Sequence, residues 1–172
     1  MNSNFPSAAS LVIRPASFND ISYIQHIAKK TWPEAYGEIL NIKQLEYMLG
    51  LFYSAPSLQQ QMHDNHYFFL ALQNYSPIGF ASFSQVEPDI YKLQKLYVLP
   101  QIQKSGAGKQ LLQTVITVAK SMNAKHLLLN VNRNNKAKSF YEKHGFAILK
   151  EEDIDIGNGY FMNDYIMELS LD

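Results

Sequence analysis

The chain contains no cysteine among its 172 residues. It therefore forms no disulfide, offers no thiolate ligand to zinc and has no cysteine nucleophile. Long apolar runs are also missing, since the longest, such as residues 68–72, are far too short to span a bilayer. The first ten residues lack the positive segment and apolar stretch of a secretory signal. We therefore expect a cytoplasmic protein without a membrane partner.

Arginine is scarce, with Arg14 and Arg133 the only two among 15 basic residues. Because arginine makes most bidentate contacts to bases, the composition argues against a nucleic-acid partner. The chain is 47% hydrophobic with a formal net charge of zero. These values are typical of one globular domain, and we expect it to cover residues 11–172 after a poorly ordered extension over residues 1–10.

The charges are unevenly distributed along this neutral chain. Residues 1–89 carry four positive and seven negative side chains, residues 90–150 carry eleven and one, and residues 151–172 carry none and seven. The basic middle segment predicts an anionic ligand. A nucleic acid or a phosphorylated protein is a rival ligand for it, and its binding would weaken steeply with salt.

Hydrophobic periodicity predicts an α/β fold. The order is one strand, two helices, three antiparallel strands, a helix, a parallel strand, a helix and two closing strands. The strands are expected near residues 11–15, 66–73, 78–86, 91–98, 126–131, 146–149 and 160–169. The helices are expected from Asp20 to near Pro33, around residues 42–52 with a short one after Ser57, over residues 111–119 and from Asn134 to Lys143.

A strand at residues 91–98 leads into a loop that contains Gly106 and Gly108 and opens a helix. The free N–H groups and positive dipole of a helix N-terminus favour an anion, and Lys104 and Lys109 add charge. The alternative is that the glycines only permit a tight turn. The spacing matches neither a P-loop nor the dinucleotide-binding fingerprint.

Two motifs resemble those of the GNAT family of N-acetyltransferases. Residues 103–108 resemble its Q/R-x-x-G-x-G/A pyrophosphate loop, and residues 134–146 resemble its N-x-x-A and FYxxxGF signature. The order of elements is similar over nearly the whole chain. This resemblance implies a single domain with a mixed, mostly antiparallel sheet of about seven strands, flanked by four or more helices. Residues 31–36 and 156–166 look most like the PaiA polyamine acetyltransferases.

The resemblance implies acetyl-CoA as cosubstrate, with no metal. The backbone of Leu96, Tyr97 and Val98 would then pair with the pantetheine arm, to which Asn134 would donate a hydrogen bond. Lys143 or Lys136 would reach the phosphates, although a solvated lysine face is the alternative. The residues that would wrap the pyrophosphate are Gln103, Lys104, Ser105, Gly106, Ala107, Gly108 and Lys109.

Tyr141 matches the general acid of the family, and the alternative is a core tyrosine packed beside Phe140. The family often has a glutamate base where this chain has Gln94, which cannot accept a proton at neutral pH. Glu87 and Asp89 would act through water or are exposed turn acids. A metal pair at His63 and His66 is disfavoured, because these residues fall at a helix-to-strand junction.

The expected reaction is direct attack of a primary amine on acetyl-CoA in a ternary complex, with a polyamine or other small amine as acceptor. Alternatives are a protein or peptide acetyltransferase and a catalytically inactive CoA sensor. A homodimer would be typical of the family. A cationic acceptor would be recognised by aromatic residues (Trp32, Tyr36, Tyr47, Phe52, Tyr53), unless these are core residues. It would also be attracted by acidic residues (Glu151, Glu152, Asp153, Asp155, Asp164), unless these only form an exposed turn.

Overall fold

A computed structural model describes residues 10–172. The expected N-terminal extension therefore lies, except for Ser10, outside the described residues. The strands are β1 (Leu11–Pro15), β2 (Tyr67–Gln73), β3 (Ser76–Glu87), β4 (Ile90–Val98), β5 (His126–Asn132), β6 (Ala147–Gly157) and β7 (Tyr160–Ser170). The helices are α1 (Ile21–Tyr36), α2 (Ile42–Tyr53), α3 (Ala55–His63), α4 (Ala107–Ser121) and α5 (Ala137–Lys143), with 3-10 turns at Phe18–Asp20 and Pro100–Ser105.

The seven strands form one sheet in the order β1-β2-β3-β4-β5-β7-β6. Neighbouring strands are antiparallel except β4 and β5, which are parallel because α4 carries the chain back between them. The predicted mixed, mostly antiparallel sheet of about seven strands is confirmed. The described residues also include α3, the short helix expected after Ser57, between the second helix and the second strand.

Strands β4 and β5 pair over only half of their length. Their parallel register runs from Ile90 opposite His126 to Leu93 opposite Leu129. Beyond that point β4 stays paired with β3, and β5 stays paired with β7. The two strands therefore diverge, and a gap opens between their C-terminal ends.

A bulge interrupts β4 at Gln94. In the register with β3, Leu93 lies opposite Phe83 and Lys95 lies opposite Ser82, so that Gln94 has no partner. An extra residue reverses the alternation of side chains beyond it. Lys95 consequently faces the same side of the sheet as Lys92, which strict alternation would place on opposite sides.

The central strands of the sheet are buried on both faces. Helix α4 packs its apolar stripe, which includes Leu111 and Val115, against one face. Helices α1, α2 and α3 cover the other face with residues such as Ile24 and Leu58. The gap between β4 and β5 therefore lies between two well-packed layers, which hold its walls in place.

The expectation that the first helix ends near Pro33 is wrong, because α1 continues to Tyr36. Proline removes one backbone donor but leaves its own carbonyl free, and Gly37 N–H donates to that carbonyl at 2.9 Å. The last turn is held by packing, since the Tyr36 ring lies 4.7 Å from the Trp32 ring. Tertiary contacts thus outweigh the helix-breaking tendency of proline.

Two further boundaries differ from the sequence expectation. Helix α5 begins at Ala137 rather than Asn134, because the residues before it form turns. In these turns the Asn132 side chain accepts a hydrogen bond from Asn134 N–H, and the Asn135 side chain accepts one from Ala137 N–H. Strand β6 runs to Gly157 rather than Leu149. Its acidic residues are exposed at the edge of the sheet and form a strand because their backbone pairs with β7. A strand that buries neither face needs no alternation of apolar and polar residues.

Candidate active site

A cleft of about 500 Å³ opens where β4 and β5 diverge. We call it the cleft. The end of β4, the start of α4, the turn before α5 and one face of α1 form its walls. The lining residues include Thr31, Glu34, Glu38, Leu96, Tyr97, Val98, Gln103, Gly108, Asn134, Lys136, Phe140 and Tyr141.

The end of β4 presents unpaired backbone groups to the cleft. In an antiparallel pair, opposed residues alternate between exchanging two hydrogen bonds and exchanging none. Leu99 N–H donates to the Ile78 carbonyl at 2.8 Å, so Val98, opposite Gly79, belongs to a pair that exchanges none. The N–H and C=O of Val98 therefore point away from β3, towards the gap that β5 has left. The same alternation applies to Leu96.

Helix α4 begins at the mouth of the cleft. Gly106 precedes it with φ of +84°, a left-handed conformation that glycine adopts without strain. Ala107 N–H donates to Ser105 Oγ, and the first intrahelical bond runs from Gln110 N–H to the Gly106 carbonyl. The N–H groups of Gly108 and Lys109 thus have no partner within the helix, which leaves a positive helix end for an anion.

Gly108 lies where α4, β4 and α5 converge. A side chain at this position would begin 3.8 Å from the Phe140 ring and 3.9 Å from the Leu96 and Val98 side chains. The absence of a side chain therefore keeps the start of the helix open to the cleft.

The structure brings together about half of the residues predicted to bind the cofactor. Those that line the cleft are Leu96, Tyr97, Val98, Gln103, Gly108 and Asn134, together with the predicted acid Tyr141. Lys104, Ser105, Gly106 and Lys109 are exposed around the loop, and Ala107 is fully buried beneath it. Lys143 is exposed at the last residue of α5, whereas Lys136 lines the cleft.

Tyr141 is only 8% exposed, and its side chain lines the cleft. Its ring packs edge-on against Phe140 at 5.3 Å and Phe146 at 5.7 Å, which fixes its orientation. Burial, with a smaller contribution from Tyr36, raises the pKa of its phenol. The hydroxyl is therefore protonated at neutral pH and has a proton to donate.

A second, smaller cavity of about 150 Å³ lies behind the cleft, between α1, α2 and the strands β4, β5 and β7. We call it the inner pocket. Its residues include Trp32, Tyr36, Phe52, Tyr53, Lys92, Gln94, Lys95, Tyr97, Asn130, Asn132, Met162 and Asp164. Tyr97 lines both cavities, and its hydroxyl lies 3.0 Å from that of Tyr36. The two cavities are thus neighbours that share one wall.

Two lysines and one carboxylic acid line the inner pocket. Burial, together with the charge of Lys92, lowers the pKa of Lys95 to about 8. Its Nζ lies 5.4 Å from the centre of the Tyr53 ring. Asp164 is 3% exposed and accepts a hydrogen bond from Asn130 Nδ2 at 3.2 Å. Burial raises the pKa of Asp164 and lowers that of Lys92.

The candidate bases do not gather at the cleft. Gln94 lines the inner pocket and donates to Ser84 Oγ at 3.1 Å. Glu87 and Asp89 lie at the opposite end of β4 from Val98, in the turn between β3 and β4. Among residues 10–172, no group of three or more side chains is arranged to hold a metal ion. In the same range, no helix is long and apolar enough to cross a membrane.

The residues expected to recognise a cation divide into two sets. Trp32, Tyr36, Phe52 and Tyr53 line the inner pocket, whereas Tyr47 donates to the Ile156 carbonyl outside it. Of the five acids, Asp164 alone is part of the pocket lining. Glu151 and Asp153 pair with Arg133, Glu152 pairs with Lys150, and Asp155 accepts from Gly157 N–H.

The sequence model of the Acetyltransferase (GNAT) family matches residues 22–146. The chain belongs to the GNAT family. The matched range covers α1, the diverging strands, the loop before α4 and the whole of α5. The resemblance carried by the two motifs is therefore confirmed.

Relatives of this GNAT chain include a spermidine N(1)-acetyltransferase from Thermoplasma acidophilum, which is 28% identical over 92% of this chain and 96% of its own length. Uncharacterized N-acetyltransferases from Mycobacterium bovis and Mycobacterium tuberculosis are 33% identical over 91 residues. That segment is 52% of this chain and 58% of theirs, so the match spans less than two thirds of the mycobacterial proteins.

Solved structures agree with the fold of a GNAT protein. A PaiA N-acetyltransferase from Thermoplasma acidophilum in complex with coenzyme A has a TM-score of 0.80 at 27% identity, over 94% of this chain and 99% of that one. A GNAT structure from Rhodopseudomonas palustris also has a TM-score of 0.80, at 21% identity over 95% of this chain and 98% of that one.

Sequence reasoning missed several residues around the two cavities. Lys92 and Lys95 of the inner pocket gave no signal, because their common face depends on the bulge at Gln94. Gly79 was also missed, although a glycine inside a strand often marks a close backbone approach. A side chain there would begin 2.8 Å from the Tyr97 carbonyl oxygen. The end of β4 can therefore keep its place only opposite a glycine.

Proposed function

We propose that the protein transfers an acetyl group from acetyl-CoA to the primary amine of a small molecule, by direct attack in a ternary complex. The observation that carries this proposal is the unpaired backbone edge of β4 at Val98, which faces a cleft that Tyr141 also lines. A strand edge of this kind can pair with an extended pantetheine arm as it would with another strand.

The residues of the cleft fit coenzyme A, whose acetyl thioester would supply the activated acyl group. Leu96, Tyr97 and Val98 would pair with the pantetheine, and Asn134 would donate a hydrogen bond to it. The free N–H groups at the start of α4 suit a pyrophosphate, and Gly108 leaves room for it. Gln103, Lys104, Ser105, Gly106, Ala107 and Lys109 would complete the loop around the phosphates. Lys136 is better placed than Lys143 to add charge.

Two groups of the cleft match the charge changes of acetyl transfer. The carbonyl oxygen of the acetyl group gains negative charge as the amine attacks, and the N–H of Val98 is a suitable donor to it. The departing thiolate needs a proton, and the neutral, buried phenol of Tyr141 would donate one.

The amine must be uncharged before it attacks, and its pKa is about 10.4 in water. The amide of Gln94 cannot accept that proton. Glu87 and Asp89 lie at the far end of the hairpin. We therefore propose that the proton leaves through water in the cleft, which Glu34 and Glu38 also line.

The small size of the inner pocket supports a small-molecule acceptor. It holds about 150 Å³ and lies between two helices and the sheet, a space that suits a short amine better than a folded protein. The spermidine acetyltransferase of Thermoplasma acidophilum supports a polyamine. A ribosomal protein bS18 alanine N-acetyltransferase from Haemophilus influenzae, 34% identical over 52% of this chain, supports the alternative of a protein N-terminus.

The test is thiol release from acetyl-CoA with polyamines, amino acids, aminoglycosides and peptides as acceptors. Thermal stabilisation by coenzyme A is measured in parallel. We expect stabilisation by the cofactor and thiol release with at least one small amine. Stabilisation without thiol release from any acceptor would indicate the inactive CoA sensor. A lack of stabilisation would contradict the assignment of the cleft.

A further inference from the structure

The inner pocket has two ammonium groups on one wall. Lys92 and Lys95 both line it, because the bulge at Gln94 turns the two side chains to the same face of the sheet. The ion pairs among residues 10–172 involve Arg14, Arg133, Lys138 and Lys150, with a further contact between His126 and Glu168, and neither of these two lysines takes part in one.

Asp164 is the only carboxyl group in the lining of the pocket, and its single negative charge cannot neutralise both lysines. Asp164 interacts favourably with Lys92, whereas no acid contributes to the environment of Lys95. Lys95 Nζ lies over the face of the Tyr53 ring, 5.4 Å from its centre, which gives its charge a cation–π contact. Its charged form is therefore poorly supported by the protein, and an anion placed in the pocket would stabilise it.

The pocket also limits the size of what it encloses. A cavity of about 150 Å³ accommodates a molecule of roughly benzene's size. Its aromatic and aliphatic lining, which includes Trp32 and Met48, suits a short carbon chain. Tyr97 lines both that pocket and the cleft, where the acetyl group would be held.

We infer that the inner pocket takes an acceptor that carries a carboxylate, with the carboxylate on Lys95 and the amine directed past Tyr97 into the cleft. The acceptor class is thus a small amino acid rather than a diamine or polyamine. This inference rests on the proposed acetyltransferase function and names its substrate class. Lys95 is the specificity-determining residue, because the charge of Lys92 is partly offset by Asp164.

Matched acceptors test the inference directly. 4-Aminobutanoate, butane-1,4-diamine and butan-1-amine share one carbon chain and differ at the far end in charge. L-Leucine and 3-methylbutan-1-amine form a second pair that differs in one carboxylate. We expect kcat/KM for the carboxylate-bearing member of each set to exceed that of its partners by about tenfold to a hundredfold, mainly through KM.

Variants at Lys95 distinguish a role in binding the carboxylate of the acceptor from a role in folding. Lys95→Met keeps most of the length of the side chain and removes the charge, so it should abolish the preference by lowering kcat/KM for the carboxylate-bearing acceptors more than for butan-1-amine. Lys95→Arg should restore most of the preference. Lys120→Met, at an exposed position on α4, is the matched control and should change neither value.

The outcomes distinguish this inference from the function on which it rests. A preference for butane-1,4-diamine would overturn the inference and leave the acetyltransferase function intact. Equal losses for charged and uncharged acceptors in Lys95→Met would also overturn it, because the role of Lys95 would then be structural. Cofactor binding without thiol release from any amine would overturn both proposals.

Discussion

The hydroxyl groups of Tyr36 and Tyr97 lie 3.0 Å apart and join helix α1 to strand β4. The pair stands in the wall between the cleft and the inner pocket. Burial raises the pKa of both phenols, so that both stay neutral and one donates to the other. Tyr36 occupies this position because α1 continues past Pro33. The position of the Tyr97 side chain between the two cavities therefore depends on how helix α1 ends.

Removing one of these hydroxyls should destabilise the protein. Tyr97→Phe leaves the Tyr36 hydroxyl without its partner, and we expect a loss of about 1–3 kcal/mol in the free energy of unfolding. Urea denaturation of Tyr97→Phe, Tyr36→Phe and the double variant measures the coupling. The double variant should lose less than the two single variants added together. Strict additivity would show that the hydroxyl pair carries no stabilising interaction.

Tyr141→Phe should lower turnover and leave cofactor binding intact. The ring keeps its packing on Phe140 and Phe146, and only the proton donor is lost. General acid catalysis contributes about a hundredfold or more, so kcat should fall by that factor while the Kd for coenzyme A changes less than twofold. Tyr75→Phe is the control, since Tyr75 is 96% exposed. Full activity of Tyr141→Phe would eliminate Tyr141 as the acid.

Gly106 should tolerate asparagine better than valine. Its φ of +84° is left-handed and no atom lies within 4 Å of the position a side chain would take, so backbone strain alone decides the effect. Valine disfavours this conformation by about 1–2 kcal/mol, whereas asparagine adopts it more readily. We expect Gly106→Val to weaken coenzyme A binding by at least about tenfold in calorimetry. Equal binding by both variants would mean that the loop conformation is not required.

Lys95 should give the protein a stability that rises in alkaline solution. Its pKa is about 8 in the folded protein and about 10.4 in the unfolded chain, so the unfolded state binds more protons between these values. The free energy of unfolding should therefore increase as pH rises through this window. Lys95→Met should lack this increase and be more stable than the parent at pH 7. The result is read from urea denaturation at several pH values.

The control for this pH dependence is Lys120→Met, which removes an exposed lysine of α4. It should retain the alkaline increase of the parent protein. If Lys95→Met retains the increase as well, the pKa of Lys95 is not the cause.

Local sequence patterns were sufficient for the elements and their order. The aromatic density of β2, the alternation in β3 and the helical spacing of α4 are properties of short segments. The two motifs at residues 103–108 and 134–146 were enough to identify the family that the family comparison confirmed. These features were predictable because each depends on residues close together in the chain.

The inner pocket depended on contacts between distant segments. The bulge at Gln94 exists only in the register of β4 with β3, and it decides that Lys95 faces the pocket. The length of strand β6 was underestimated, because its exposed acidic residues are held in the strand by backbone pairing with β7. Helix α1 extends past Pro33 because Tyr36 is held by Trp32 and Tyr97.

The sequence by itself thus determined the α/β order, the glycine-containing loop that opens α4 and the position of Tyr141. The tertiary structure alone decided where β4 and β5 separate and which charges face the enclosed space. The physical reason is that strand register and burial are set by partners far away in the chain. The basic segment that predicted an anionic ligand also places two lysines beside the proposed acceptor.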